Sequence, residues 1–205
     1  MLQPITTLKA MSRERPMKIY TGRGDDGTAG LLSSERVPKN HERIDAFGDI
    51  DELSSTLGVL RAGLTKDTLE AGSQIRRIQS DLMKIGACLS AWRDAPILER
   101  LEKIGEDDIR FLETSIDTIE AILPPLTGFL LYGGHPTAAW ANFARSVCRR
   151  AERKVVGLSI EIKVGRPPRQ IKPILVYLNR LSDYLFVLAR YFNHLTQVKD
   201  DIWKA

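Results

Sequence analysis

Apolar residues recur at three- and four-residue steps along five long segments of this chain, a period that fits helices and leaves no room for a strand-built core. The first stripe starts near Lys39 and runs through Ile44, Phe47, Ile50, Leu53, Leu57, Leu60 and Leu64, with Asp45, Asp49, Asp51 and Glu52 along its edges. Ile75, Ile78, Leu82, Ile85, Leu89 and Trp92 form the second. The third extends from about Glu106 to Leu123 through Ile109, Leu112, Ile116 and Ile119. A fourth begins near His135 or Pro136, where proline suits a first turn, and carries Trp140, Ala144, Val147, Ala151, Val155 and Leu158. The fifth spans about Lys172 to Thr196 and buries Ile174, Leu178, Leu181, Leu185, Leu188 and Phe192. Pro124, Pro125 and Gly128 interrupt the pattern ahead of an apolar loop, Phe129 to Gly134; Gly157, Gly165, Pro167 and Pro168 mark another break. Five amphipathic segments with short connections and no convincing strand predict an all-α, up-and-down five-helix bundle, preceded by a glycine-rich loop.

A chain of 205 residues with 43% hydrophobic and 27% charged residues is expected to form one globular domain over residues 17–205. Residues 1–16 hold Lys9, Arg13 and Arg15 against Glu14 without an apolar core, and are expected to be a flexible tail. They are too polar for a secretory signal, which favours a cytoplasmic location; a mitochondrial transit segment is the alternative. No apolar run approaches a membrane span. The formal net charge of +4 suits an anionic ligand, but the charges are interspersed and no basic run points to nucleic acid. Cys88 and Cys148 each fall in a helical stripe without a second thiol or a His cluster, and read as reduced core residues.

Three features remain that could carry chemistry. On the fourth helix, Arg145, Arg149 and Glu152 fall on one face beside the apolar stripe, and Arg150 and Arg153 extend the basic run. Arginine donates a planar, permanently charged fork, well matched to phosphate. Near the start, Thr21-Gly22-Arg23-Gly24-Asp25-Asp26-Gly27-Thr28-Ala29-Gly30 can present backbone N–H groups to phosphate. The glycine spacing there imitates a dinucleotide-binding fingerprint, but no strand, helix and βαβ unit surround it. On the fifth helix Asn179 and Asp183 sit one turn apart, off the apolar stripe. A solvated basic face and a surface polar pair are the plainer alternatives.

Other chemistries lack their residues. His41, His135 and His194 have no metal-ligand spacing, and no Ser–His–Asp or Cys–His set assembles. Glu-X-X-His pairs for a carboxylate-bridged di-metal site are missing as well. A glycine loop, an arginine face and an Asn/Asp face together describe a nucleotide site without a proton-transfer apparatus.

Four blocks then match one family in order: Thr21 to Gly27 running on to Lys39; Gly48-Asp49-Ile50-Asp51-Glu52-Leu53; Arg145 with Arg149-Arg150-Ala151-Glu152-Arg153; and Tyr177-Leu178-Asn179-Arg180-Leu181-Ser182-Asp183. Over about residues 17–195 the chain resembles the PduO-type ATP:cob(I)alamin adenosyltransferases. The resemblance implies a ferritin-like bundle assembled as a homotrimer, with ATP between adjacent subunits and a corrinoid beside it. Cobalt(I) attacks the ribose 5′-carbon and triphosphate leaves, so no general base is needed.

Carried over residue by residue, the resemblance places Thr21, Gly22, Arg23, Gly24, Asp25, Ala29, Gly30 and Lys39 around the triphosphate, with Mg²⁺ alongside. Arg149 and Arg153 would contact phosphate, with Arg150 in the same ATP-binding block. Glu152 would orient the sugar or the arginines, and Asn179 would bind the nucleotide. Arg145 matches an intersubunit salt-bridge arginine with Asp51 as its partner, Asp183 supports the arginines, and Phe129 matches the residue that displaces the corrinoid's lower ligand. A cobalt reductase and an adenosylcobalamin-dependent enzyme are the implied partners. Three positions depart from the family pattern: Gly22 for Lys or Arg, Tyr132 for the Pro of Leu-Pro-Gly-Gly, and Asn142 for a frequent His. A non-catalytic ATP- or corrinoid-binding sensor or carrier is the competing reading, and an RNA-binding bundle the third.

Overall fold

The computed structural model describes residues 19–91, 96–161 and 170–204. The tail 1–16, Trp92 and the Gly165, Pro167, Pro168 break lie outside the described residues. Five helices are present: α1 (Glu42–Ala62), α2 (Leu69–Ser90), α3 (Glu106–Glu120), α4 (Pro136–Glu161) and α5 (Ile171–Leu195).

Side-chain pairings fix their directions. Gln79 of α2 donates to the Ser54 carbonyl of α1, and Arg43 reaches Leu89 and Ser90 at the other end, so α1 and α2 are antiparallel. Asp45 meets Lys154 while Asp49 meets Arg150, which sets α4 antiparallel to α1. Cys148 bonds Leu178 and His135 bonds Asn193, which sets α5 antiparallel to α4. The third helix runs beside α5 in the same direction, with Glu113 on Arg180 and Pro124 on Arg190. The result is the expected up-and-down bundle.

Alanine builds the closest packing. Ala138, Ala141, Ala144 and Ala151 are fully buried along α4, where a side chain no larger than methyl lets α1 and α5 approach. Consequently Trp140, expected in the α4 stripe, is 41% exposed and packs edge-on against Phe143. Phe47 likewise sits at the edge of the α1 stripe, its ring lying over Gly86 of α2, while Ala46 and Arg43 take the inner positions. Gly157 does not end α4. Leu158 one residue on is 4% exposed, and burying it outweighs a helical glycine's cost of roughly 1 kcal/mol.

The expectation of no strands needs one correction. Thr28–Gly30 (β1) pairs antiparallel with Arg36–Pro38 (β2), and Leu130–Leu131 (β3) with Asp201–Ile202 (β4). Elements of two or three residues hold no alternation that a sequence pattern could reveal.

A buried polar junction joins three helices. Asp81 of α2, 1% exposed, accepts from the Tyr177 hydroxyl of α5 at 3.0 Å and pairs with Lys84 at 2.9 Å. Lys84 also faces Asp108 of α3 at 3.8 Å. The hydrogen bond that Lys84 donates to Asp81 holds its ammonium above the ordinary value, while burial pushes the Tyr177 hydroxyl up. A raised lysine contributes stability that is complete below the ordinary lysine range and fades only as the pH climbs through its raised value. Asp81→Ala leaves the Tyr177 hydroxyl without its acceptor and Lys84 with only Asp108 and Glu102 at 3.8 Å, and is expected to cost about 3 kcal/mol in urea unfolding at neutral pH. An Asp81→Ala chain as stable as the parent would show the junction to be dispensable.

Candidate functional site

The glycine loop is a tight double turn leading into a hairpin. Asp25 N–H donates to Gly22 O and Gly27 N–H to Gly24 O, with Gly22 and Gly27 at φ of 69° and 79°, the region that suits glycine. Gly24 is needed for space: a Cβ there would meet the Lys39 side chain and the Thr28 carbonyl at 3.3 Å. Lys39 is thereby brought over the loop, its N–H bonded to Gly27 O at 2.9 Å. The two expected phosphate contacts, loop and Lys39, do converge.

Arg36 escaped the sequence reading. It crosses the hairpin to the Arg23 carbonyl and the Thr28 hydroxyl, and faces Asp26 at 3.6 Å. Thr28 donates to Asp26 from both its hydroxyl and its N–H, which holds that carboxyl below the usual range. Asp26 therefore serves the loop's shape. Asp25 and Arg23 are exposed, as are Thr21 and Gly30, while Ala29 pairs with Val37 across the hairpin.

The hairpin is anchored by a residue that reads as a surface charge. Arg43, 4% exposed, donates to Leu89 O, to Ser90 O at 2.9 Å and to Glu35 at 3.2 Å. Only the Arg43 position within the α1 stripe, at three residues from Ala46, hinted at this. Arg43→Met is expected to loosen the hairpin and weaken nucleotide binding several-fold, leaving the helical circular-dichroism signal unchanged. Unaltered binding would dismiss the tether.

On α4 the basic residues divide between two edges. Arg150 is held against α1 by Asp49 at 3.3 Å and by Glu52, and Lys154 by Asp45. Arg150, expected in the same ATP-binding block, thus has its guanidinium engaged with α1 and 40% of its side chain exposed. Arg149 and Arg153, one turn apart, are exposed, and no carboxylate lies within 4 Å of either among the described residues. Between them Glu152 accepts from the Asn179 amide at 3.5 Å, and Asn179 accepts from Arg180 at 2.9 Å, which in turn binds Glu113. Asn179 and Glu152 thus meet at the α4–α5 seam. Asp183 lies on the same α5 face but is exposed and makes no ion pair with the arginines. Cys148 beneath them is fully buried and donates to Leu178 O at 3.3 Å; burial pushes its thiol up, fitting an inert core residue.

Arg145 and Asp51 do not meet within the chain. The Arg145 guanidinium lies 4.5 Å over the Tyr132 ring, its Nε buried without an acceptor among the described residues; Asp51 is exposed. Tyr132, a departure from the family pattern, thus holds an arginine. Phe129 is 81% exposed on the loop ahead of α4. No hydrogen bond or ion pair of residues 21–39 reaches α4 among the described residues.

Residues 19–192 match the family model described as cobalamin adenosyltransferase. The chain belongs to this family. It is 40% identical over 192 residues to the cobalamin adenosyltransferase of Cupriavidus metallidurans, covering 93% of this chain and 96% of that protein. With the corrinoid adenosyltransferase of Bacillus subtilis it shares 37% identity over 187 residues, 90% of this chain and 91% of the relative. A variant PduO-type ATP:corrinoid adenosyltransferase from Lactobacillus reuteri, solved with cobalamin and ATP, superposes with a TM-score of 0.82 at 32% identity, over 92% of this chain and all of that one. No helix among the described residues is long and apolar enough to cross a membrane.

Proposed function

We propose that this chain is an ATP:cob(I)alamin adenosyltransferase, acting as one unit over residues 17–205 and as a homotrimer in the cytoplasm. The cobalt(I) lone pair forms the bond to the ribose 5′-carbon, the carbon–oxygen bond breaks, and triphosphate departs with that electron pair. Cobalt rises from I to III, and no proton moves. The protein's work is alignment and stabilisation of the departing charge.

One observation carries the reading. Of the arginines and lysines on α4, Arg150 and Lys154 are neutralised by α1, whereas Arg149 and Arg153 stand open at the seam beside Asn179 and Glu152. Open, adjacent guanidinium groups repel one another and are retained where an anion will sit between them. The glycine loop with Lys39, which makes no hydrogen bond or ion pair to α4 among the described residues, would complete such a site when supplied by a neighbouring subunit. Arg145, stacked on Tyr132 but with its buried Nε unmet, and Asp51, which makes no ion pair among the described residues, would close the same boundary. No trio of Asp, Glu, His or Cys gathers among the described residues, so Mg²⁺ would be carried chiefly by phosphate oxygens. Phe129 would occupy the cobalt's lower face.

The test is incubation of the purified chain with ATP, Mg²⁺ and chemically reduced cob(I)alamin, following the corrinoid spectrum. Conversion to the light-sensitive adenosylated product is expected. ATP binding without conversion would point instead to a carrier or sensor, and the absence of both conversion and ATP binding would refute the reading.

A further inference from the structure

The end of α5 and the chain beyond it form a clamp that the reaction as described does not use. After α5, Gln197 takes a left-handed conformation at φ 57°, and Val198 N–H returns to Asn193 O at 2.9 Å, turning the chain back along the bundle. Strand β4 then pairs with β3 in the register Leu130↔Ile202 and Leu131↔Asp201. Trp203 N–H donates to the Phe129 carbonyl at 2.7 Å, and the Ile202 side chain closes on Gly128. The backbone that carries Phe129 is therefore held by the carboxy-terminal strand.

That strand is secured by Arg190. Only 6% exposed, this arginine binds Asp200 through Nε at 2.9 Å and the Pro124 carbonyl through Nη2 at 2.7 Å. It thus ties both flanks of the Phe129 segment to one helix: Pro124 precedes the segment, and Asp200 opens the strand laid across it. A cavity of about 280 Å³ remains between this strand, Leu131, Asn142 and α5. An exposed ring on a pinned backbone is costly to leave in water, and useful where a ring must meet a ligand at fixed height.

We infer that Arg190 is a positioning residue for the corrinoid side of the reaction: through Asp200 and Pro124 it holds the carboxy-terminal strand on the Phe129 segment, and so sets where Phe129 stands. This rests on the adenosyltransferase reading and deepens it. The step affected is loss of the lower ligand, in which the cobalt–nitrogen bond breaks, the nitrogen keeps its electron pair and the metal stays cobalt(II). ATP binding, at the other end of the reacting pair, does not depend on it.

The experiment compares the parent chain with Arg190→Met, Arg190→Lys and a chain ending at Asp200, which keeps the arginine's partners but lacks β4. With saturating ATP, the fraction of cob(II)alamin in the four-coordinate state is read by electron paramagnetic resonance, and turnover is measured with cobalamin and with a corrinoid lacking the lower base. Arg190→Met and the truncated chain are expected to lose on the order of tenfold in four-coordinate fraction and in cobalamin turnover, since small misplacements of a positioning group carry effects of this size. Turnover of the base-free corrinoid and the Kd for ATP should stay within about twofold, and Arg190→Lys should recover part of the loss. Equal losses with both corrinoids, or a truncated chain with the parent's four-coordinate fraction, would overturn the inference. If the parent converts neither corrinoid, the adenosyltransferase reading fails instead. Should Arg190→Met not fold, the truncated chain decides.

Discussion

Replacing Arg149 by alanine is expected to lower kcat/KM for adenosyl transfer by on the order of 10²-fold or more, equivalent to roughly 2.7 kcal/mol of transition-state stabilisation. Stability should change by no more than about 0.5 kcal/mol, because the side chain is exposed and bonds nothing within the bundle. That separation of activity from stability is the diagnostic result. Arg150→Ala is its counterpart: it breaks the contacts with Asp49 and Glu52 on a side chain 40% exposed, which costs at most about 1 kcal/mol and should leave the rate nearly intact. Arg149→Lys should recover little, since a point charge cannot reproduce a two-pronged grip on phosphate. Steady-state kinetics beside thermal melts would settle the matter. A rate loss in Arg150→Ala matching that in Arg149→Ala would mean that both edges of α4 serve the ligand.

The contrast between those two arginines also shows where sequence reasoning stopped. Periodicity located all five helices, because burial of a stripe is a local property repeated every turn. It also placed Arg145, Arg149 and Glu152 on one face of the fourth helix and Asn179 with Asp183 on one face of the fifth; that Asn179 meets Glu152 only the structure shows. Periodicity could not say that Arg150, 100° further round the helix, would find two carboxylates on α1, since the partners lie about a hundred residues away. Arg43 and Arg190 were hidden for the same reason. An arginine reads as surface until the carbonyls that surround it are known, and those of Leu89, Ser90 and Pro124 lie 46 to 66 residues away in the chain. Phe47 and Trp140 failed in the opposite sense: large apolar residues at stripe positions, they were displaced to the rim by alanines that allow closer helix packing. The glycine loop was legible from composition and not from any period, and the role of Phe129 came from the resemblance alone.

The largest loss of stability is expected at Gly134, where the loop bearing Phe129 enters α4. Gly134 has φ of 95°, and a Cβ there would stand 2.3 Å from Asn193 Oδ1 and 2.7 Å from Nδ2. Asn193 cannot step aside cheaply. It is 8% exposed, its oxygen accepts from His135 N–H at 2.9 Å, and its amide donates to Gly133 O at 3.1 Å. Gly134→Ala therefore combines an unfavourable backbone region with a clash against a buried, doubly bonded side chain, and should cost about 4 kcal/mol, or a Tm lower by about 10 °C. Asn193→Ala removes the obstacle but leaves the His135 N–H and Gly133 carbonyl unmet, costing about 2 kcal/mol alone. The two changes should not add. With Asn193 already truncated, the methyl at Gly134 has room and only the backbone strain of roughly 1 kcal/mol remains, so the double variant should be more stable than Gly134→Ala itself. Additive losses in urea unfolding would place the whole penalty in the backbone angle and none in the contact. Non-additive ones would identify Asn193 as the buried side chain that shapes the turn between Phe129 and the arginine helix.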